Sequence, residues 1–466
     1  MTARIALGAG VLVCAVVLAY LPALAASFQF DDYGVIVDNP QVHGLAAWWQ
    51  SMPGIRPLLK LSYAVNWSLS PQAVGFHAFN LAVHALNALL VWTLAAHWLR
   101  TLAPGVRQPV LGAAFVALLF ALHPAATEAV TYVSGRSVSL MALFYWAALC
   151  LHARAGRHAA PLSALAFALA LGVRETAVTL PFALWLLAWF RNEPSGETLR
   201  GLRWHGLVLL AAGIAALTWP GYDRFFQHSL QTRGAGPQLL GQLEAHAHLF
   251  WHSLVGLQTN IDPDLRVPAG WNAKTYVAAA AMLAAVGLAL ASRRRWPWLG
   301  FGIAWYLLQL APGNSLLPRL DLANDRHLYL ALPGVALLVV VPLLSRHRPR
   351  LAGAALCGLA VLMSQGTFRR NFDFRDEVSL WTATVADSPG KARPWSNLGW
   401  ARQLKGDMPG ALRAYECALA IQPDHQRALI NASLLPGSAR GAPPIADACR
   451  WALPAKRAGT GQGEHG

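Results

Sequence analysis

Two adjacent carboxylates, Asp31 and Asp32, follow the first apolar run by a few residues, in FQFDDYGVIVDNPQVHG. Further along, HPAATEAVTYVSGR supplies His123, Glu128 and Arg136. The pair Arg174-Glu175 sits between two short apolar segments, and a later connection adds Arg319, Asp321, Asp325, Arg326 and His327. A carboxylate within hydrogen-bond reach of a hydroxyl can take its proton as general base. Arginines at membrane height can hold a phosphate through paired, charge-assisted hydrogen bonds. A charge pair between half-length apolar segments is costly unless buried in protein or facing a watery cavity. The plainer account is that Asp31-Asp32 begins a turn and the arginines snorkel. Acids and arginines gathered from four separate connections weigh against it.

The elements that position these residues are apolar. Of 466 residues, 55% are hydrophobic and 13% charged, against about a quarter charged in a soluble domain. The formal charge of +15 does not point to nucleic acid, because the basic residues form short clusters between apolar segments instead of one soluble face. The first run, Ile5 to Ala26, follows Arg4 and ends in Ala23-Leu24-Ala25, which resembles a signal-peptidase site. Its length is that of an uncleaved span. Ten further apolar segments follow, among them Phe76–Trp98, Val138–Leu151, Pro161–Val173, Ala177–Phe190 and Leu328–Leu344. The expectation is an all-α polytopic membrane protein of about eleven spans. Arginine clusters at 100/107, 154/157, 191/200/203, 293–295 and 346/348/350 occupy alternate connections. The positive-inside rule then puts the N-terminus in the cytoplasm and the C-terminal hundred or so residues outside it. The composition, rich in Ala, Arg and Leu, suggests a bacterial cytoplasmic membrane. On the outer side lies the stretch from Ser27 to about Gly75, with Trp48, Trp49 and an interfacial helix expected over Arg56–Leu69.

From about Thr367 the chain turns polar. With Ala392 as the first position of a 34-residue repeat, Trp395, Leu398, Gly399, Ala411, Tyr415, Ala418 and Pro423 fall at tetratricopeptide offsets. Arg402 stands where an aromatic is usual. The expected division is 1–366 for the membrane domain, 367–435 for a short helical module, and 436–466 for a disordered tail. Glu244, His248 and His252 stand four apart on a possible helix, a spacing open to metal but better suited to interfacial packing. Cys417 and Cys449 could pair in an oxidising compartment. Asn66-Trp67-Ser68 and Asn431-Ala432-Ser433 are sequons of a length that arises by chance. No phosphate-binding loop or dinucleotide fingerprint is present.

The segments FQFDDYGVIVDNPQV, RPLLKLSYAVNWSL, GFHAFNLAVHALNALLV, LFALHPAATEAVTYVSGRS, RETAVTLPFALWLL and NDRHLYLALPG occur in an order that resembles the transmembrane and tetratricopeptide-repeat-containing (TMTC) proteins. These belong to the glycosyltransferase C superfamily, beside the protein O-mannosyltransferases. The resemblance implies an inverting enzyme that takes a sugar, mannose or another hexose, from a polyprenyl-phosphate donor to an acceptor hydroxyl outside the membrane. It implies an acidic base in the first outer loop, here Asp31 with Asp32 beside it; Glu128, in the matching second-loop motif, would join them in catalysis by orienting the acceptor or by stabilising positive charge at the anomeric carbon. Donor phosphate would fall to Arg136, Arg174 with Glu175, Arg326, His327 and His123. Relatives usually carry Lys-Glu at 174–175 and an acid or small polar residue at the position of Val138, and their repeat arrays are longer. The leaving group is already a phosphate, so no cofactor or metal is required, although a carboxylate-bound divalent ion is compatible. An acceptor protein or glycan docked by the repeats would be the partner. The competing reading is a non-catalytic scaffold that docks partners in envelope assembly; a transporter would show related halves, which are absent.

Overall fold

The computed structural model describes residues 2–51, 54–154, 156–256, 259–315, 318–319, 321–345, 348–435 and 449. All regular structure among them is helical. Contacts divide the chain into two compact units, Met1–Thr259 with Leu265–Phe374, and Asn260–Asp264 with Arg375–Gly466.

The first unit corrects the expected number of spans. Among the described residues, six helices are long and apolar enough to cross a membrane: Ile5–Ala25, Ala73–Leu102, Val133–His152, Ser195–Thr218, Ala273–Ala291 and Pro349–Asp373. A bent pair, Pro109–Ala121 with Pro124–Val130, would make a seventh. The chain is thus a multi-pass membrane protein with fewer full-length spans than the apolar runs suggested. The reason is length. Helices 159–173 and 332–344 have 15 and 13 residues, about 20 Å at 1.5 Å per residue, against a hydrocarbon core of about 30 Å.

Burial sorts the long helices into inner and outer sets. Val133–His152 is 72% buried over its most apolar stretch, whereas Ser195–Thr218 is 6% buried and exposes Leu207, Leu210, Ile214 and Leu217. An apolar stripe turned outward suits a lipid neighbour. The inner set closes on aromatics: Trp146 stacks on Trp305 at 5.7 Å, and Trp98 lies 4.9 Å from Trp305. Polar side chains tie it together as well. His84 bonds the Tyr329 hydroxyl at 2.6 Å and the Ala121 carbonyl at 2.9 Å, and Asn87 donates to the same hydroxyl at 3.0 Å. Such bonds fix helix register where the apolar surroundings offer no water.

The bend of 57° in the pair 109–130 has an identifiable cause. Pro124 lacks an N–H and restricts His123 to an extended conformation, φ −71° and ψ 127°. His123 Nδ1 then accepts the Ala125 N–H at 3.2 Å and caps the new turn, which carries Glu128. The interfacial helix forms over Pro57–Leu69, with Pro57 at its first position. One face of it, including Ser62, Tyr63 and Asn66, is buried in protein.

The second unit begins at Arg375, not Thr367, because the helix Pro349–Asp373 runs through the expected boundary without a break. Helices Ala392–Leu404 and Met408–Ile421 form a hairpin around Gly406, whose φ of +80° favours glycine. Trp395, Leu398, Gly399, Ala411, Tyr415 and Ala418 are all buried, and a Cβ on Gly399 would stand 2.5 Å from the Tyr415 ring. Glycine there lets the two helices close. Glu377–Asp387, started by an Asp376–Ser379 capping box, precedes the hairpin, and Gln426–Ser433 follows it. Asp262 accepts from Lys391 and Arg393 within this unit. Cys417 and Cys449 are joined, with Cα atoms 5.8 Å apart. The tail expected over 436–466 lies outside the described residues apart from Cys449.

Candidate functional site

Within the first unit, the connections that carry Asp31, Glu128, Arg174 and Arg326 come together at one end of the helices. The two adjacent aspartates part company. Asp32 is buried: Oδ1 accepts the Ser134 N–H at 2.8 Å and its hydroxyl, and Oδ2 accepts the Gln29 N–H at 3.0 Å. Burial, partly offset by these bonds, pushes its carboxyl up to about 7. Asp31 is exposed, and its backbone N–H donates to the Tyr132 hydroxyl at 3.0 Å. Asp32 therefore staples the first outer loop to the second, whereas Asp31 stays exposed. Burial, followed by Asp32 and Asp31, raises the Tyr132 phenol, and Arg326 opposes them. Tyr132 thus lies within electrostatic range of both acids and of Arg326.

Gly135 is essential to this arrangement, since a Cβ there would overlap the Glu128 carbonyl oxygen. Glu128 Oε2 accepts the Arg326 backbone N–H at 3.0 Å, and Oε1 lies 3.4 Å from Arg326 Nε. The acid is buried, and the arginine side chain is 18% exposed.

Arg136 departs from its expected role. Its guanidinium is wholly buried and donates to Asn80 Oδ1 at 2.6 Å, Asn66 Oδ1 at 2.7 Å, and the Ser62 and Phe76 carbonyls at 3.1 Å each. The rings of Tyr63, Phe76 and Phe79 surround it at 4.4 to 5.1 Å. Four of its five donors are spent, so it ties the interfacial helix to the bundle and does not meet a phosphate. The same contacts bury Asn66 and withdraw it as a glycosylation acceptor. His123 is likewise spent: beyond its cap, Nε2 donates to the Ser253 carbonyl at 3.2 Å. Glu175 is held by Arg56 in a two-pronged pair, with Nε at 3.0 and 3.1 Å and Nη2 at 2.8 Å. Arg56 itself adopts φ +58°, a conformation that costs an ordinary side chain about 1–3 kcal/mol. This pair and Pro57 hold it there.

Arg174, Arg326 and His327 do converge. With Thr176, Gln309 and Gly313 they line an open cleft. Arg174 Nη1 donates to Ser137 Oγ at 2.7 Å, and no described carboxylate forms an ion pair with it. Burial, then the like charges of Arg56, Arg319 and Arg326, hold its pKa well below the ordinary arginine value. An anion in the cleft would relieve that repulsion. His327 donates from Nδ1 to Asn314 Oδ1 at 2.8 Å, and Arg319 Nη1 stands 3.4 Å from Nε2. Burial and the neighbouring arginines depress its pKa, leaving a neutral ring.

Arg56, Gln309 and Asn314 belong to this region, although sequence reasoning did not single them out. Gln309 had a usable signal, being an amide within an apolar helix; it bonds Tyr145 and Thr179. Arg56 had none, because its partner lies 119 residues away.

No family model matches the chain, and no solved structure matches it. Curated proteins do. The chain is 22% identical over 453 residues to a Caenorhabditis elegans protein named protein O-mannosyl-transferase F38B6.6, covering 90% of this chain and 63% of that one. It is 25% identical over 493 residues to human protein O-mannosyl-transferase TMTC4, covering 89% and 65%. Identity rises to 35% over 136 residues with Drosophila melanogaster protein O-mannosyl-transferase Tmtc1, covering 25% and 15%. The chain therefore spans a little under two thirds of the length of the first two relatives. The likeness to these TMTC-type protein O-mannosyl-transferases, low in identity, extends over about nine tenths of the chain.

Proposed function

We propose that this protein is a membrane glycosyltransferase that moves a sugar, mannose or another hexose, from a polyprenyl-phosphate donor to an acceptor hydroxyl. The observation that carries the reading is the cleft of Arg174, Arg326 and His327, where Arg174 is buried among the like charges of Arg56, Arg319 and Arg326; Tyr132 lies in electrostatic range of both Arg326 and the exposed Asp31. The acceptor oxygen attacks the anomeric carbon from the side opposite the phosphate, and Asp31 takes its proton. The carbon–oxygen bond to phosphate breaks and the polyprenyl phosphate leaves with the electron pair, which inverts the anomeric centre. Arg174 and Arg326 stabilise the charge that develops on the leaving phosphate. Glu128 fixes Arg326 through its paired contacts. The curated names of the relatives support transfer of mannose to protein.

Orientation follows from charge. Arginine clusters (100/107, 154/157, 191/200/203, 293–295) occupy the connections that alternate with those carrying the candidate site residues. The positive-inside rule puts the clusters in the cytoplasm and the site outside. The helical hairpin of the second unit would dock the acceptor.

The test is label transfer from a polyprenyl-phosphate hexose by protein in liposomes, with envelope extract as acceptor. Transfer by the parent and its loss in Asp31→Asn and Arg174→Gln, both folded, is expected. No transfer and no donor binding across several sugars would leave the scaffold reading in its place.

A further inference from the structure

The helix Ala235–Val255 presents His248 and His252 one turn apart, with ring centroids at 3.9 Å. Asp325, which begins the turn Asp325–Leu328, brings Oδ1 to 3.1 Å from His252 Nδ1. One ligand atom from each of the three residues lies within 4.8 Å of the others. His252 and Asp325 are buried, with side-chain exposures of 8% and 4%. Nothing in the transferase reading uses these groups.

We infer that His248, His252 and Asp325 form a binding site for a zinc-class divalent ion. Two imidazoles four positions apart on one helix face, joined by a carboxylate from another element, are a recurrent zinc ligand set. Ligand atoms in a tetrahedral zinc shell stand roughly 3.3 Å apart. The His252–Asp325 pair already meets that spacing, and no other pair needs to close by more than about 1.5 Å. Nitrogen ligands favour zinc over magnesium or calcium, which take oxygen. Glu244, which shares the helix spacing, is not part of the cluster; Asp325 from a distant part of the chain replaces it. Asp325 directly precedes Arg326, so a bound ion would clamp the turn that carries the cleft arginine against the helix Ala235–Val255. The ion is a positioning element and takes part in no bond-making step.

The full chain, purified with a tag free of histidine and stripped by chelator, is equilibrated with Zn²⁺, desalted and assayed for metal. About one Zn²⁺ per chain is expected, uncontested by excess Mg²⁺ and accompanied by a rise in Tm. His248→Ala and Asp325→Asn should each weaken binding at least tenfold. Carbethoxylation mapped in the parent alone, which needs no variant to fold, should show His248 protected by Zn²⁺ and His425 unprotected. A parent that retains no Zn²⁺, a His248→Ala/His252→Ala protein that retains as much as the parent, or no protection at His248 would each overturn the site. None of these readouts involves a sugar donor, so the metal site and the transferase reading can fail separately.

Discussion

The stretch from His123 to Arg136 and the cleft around Arg174 are both rich in charged and polar groups, and they use them in opposite ways. In the first, His123 caps a bend and Arg136 spends four donors inside the protein. Glu128 is committed to Arg326. In the second, Arg174 keeps one hydrogen bond to Ser137 and stands among like charges. Buried polar groups with every partner in place rigidify a fold. A buried cation short of anions is costly and suits a ligand that supplies them. Residue type alone does not separate the two cases, because both are arginines beside apolar helices.

That contrast can be broken by substitution. The largest effect is expected from Arg136→Ala, which strands two asparagine oxygens and two carbonyls at about 1–3 kcal/mol each. Monodisperse protein should be lost on size exclusion, and Arg136→Lys should not restore it, since an ammonium lacks the planar fork. A variant with the parent's Tm would show that Arg136 is not structural. Asp31→Asn comes next: transfer should fall by about 10²–10⁴ with Tm unchanged, because the side chain is exposed. Full activity would remove Asp31 as base. For Arg174→Gln a loss of about 10²–10³ in kcat is expected, again without loss of Tm, since a repelled charge is removed. A fold defect there would instead place Arg174 with Arg136.

Two smaller effects sharpen the picture. Glu175→Gln breaks the pair with Arg56, whose side chains are about one third exposed, so a cost of about 1 kcal/mol or less is expected in thermal denaturation. A larger drop would mean that the pair alone holds the Arg56 backbone. Asp32 should leave a pH signature. Its folded value of about 7 lies above the ordinary aspartate value of 3.8, so its contribution is full below the unfolded value and is lost as pH rises through about 7. The decline in Tm from about pH 5 to pH 8 should be shallower in Asp32→Asn than in the parent. Equal slopes would assign the titration to another group.

Much of this was legible in the chain. Apolar runs separated by arginine clusters predict a multi-pass helical protein, because lipid tolerates only internally bonded backbone. The offsets of Trp395, Leu398, Gly399 and Tyr415 predict the helical hairpin, because small and aromatic residues must alternate where two helices touch. Convergence of Asp31, Glu128, Arg174 and Arg326 on one end follows from counting helices back and forth. The number of full-length spans did not follow, because an apolar run does not report where its helix stops.

Sequence by itself determined which residues are apolar, where helices begin and break, and which polar groups share an end of the bundle; these depend on neighbours within a few residues. Tertiary structure alone decided that Asp32 is stapled and Asp31 exposed, that Arg136 is spent and Arg174 is not, and that Asp325 joins His248 and His252 in place of Glu244. Those outcomes turn on hydrogen-bond partners tens to hundreds of residues away, whose approach is set by packing and leaves no periodic trace in the chain.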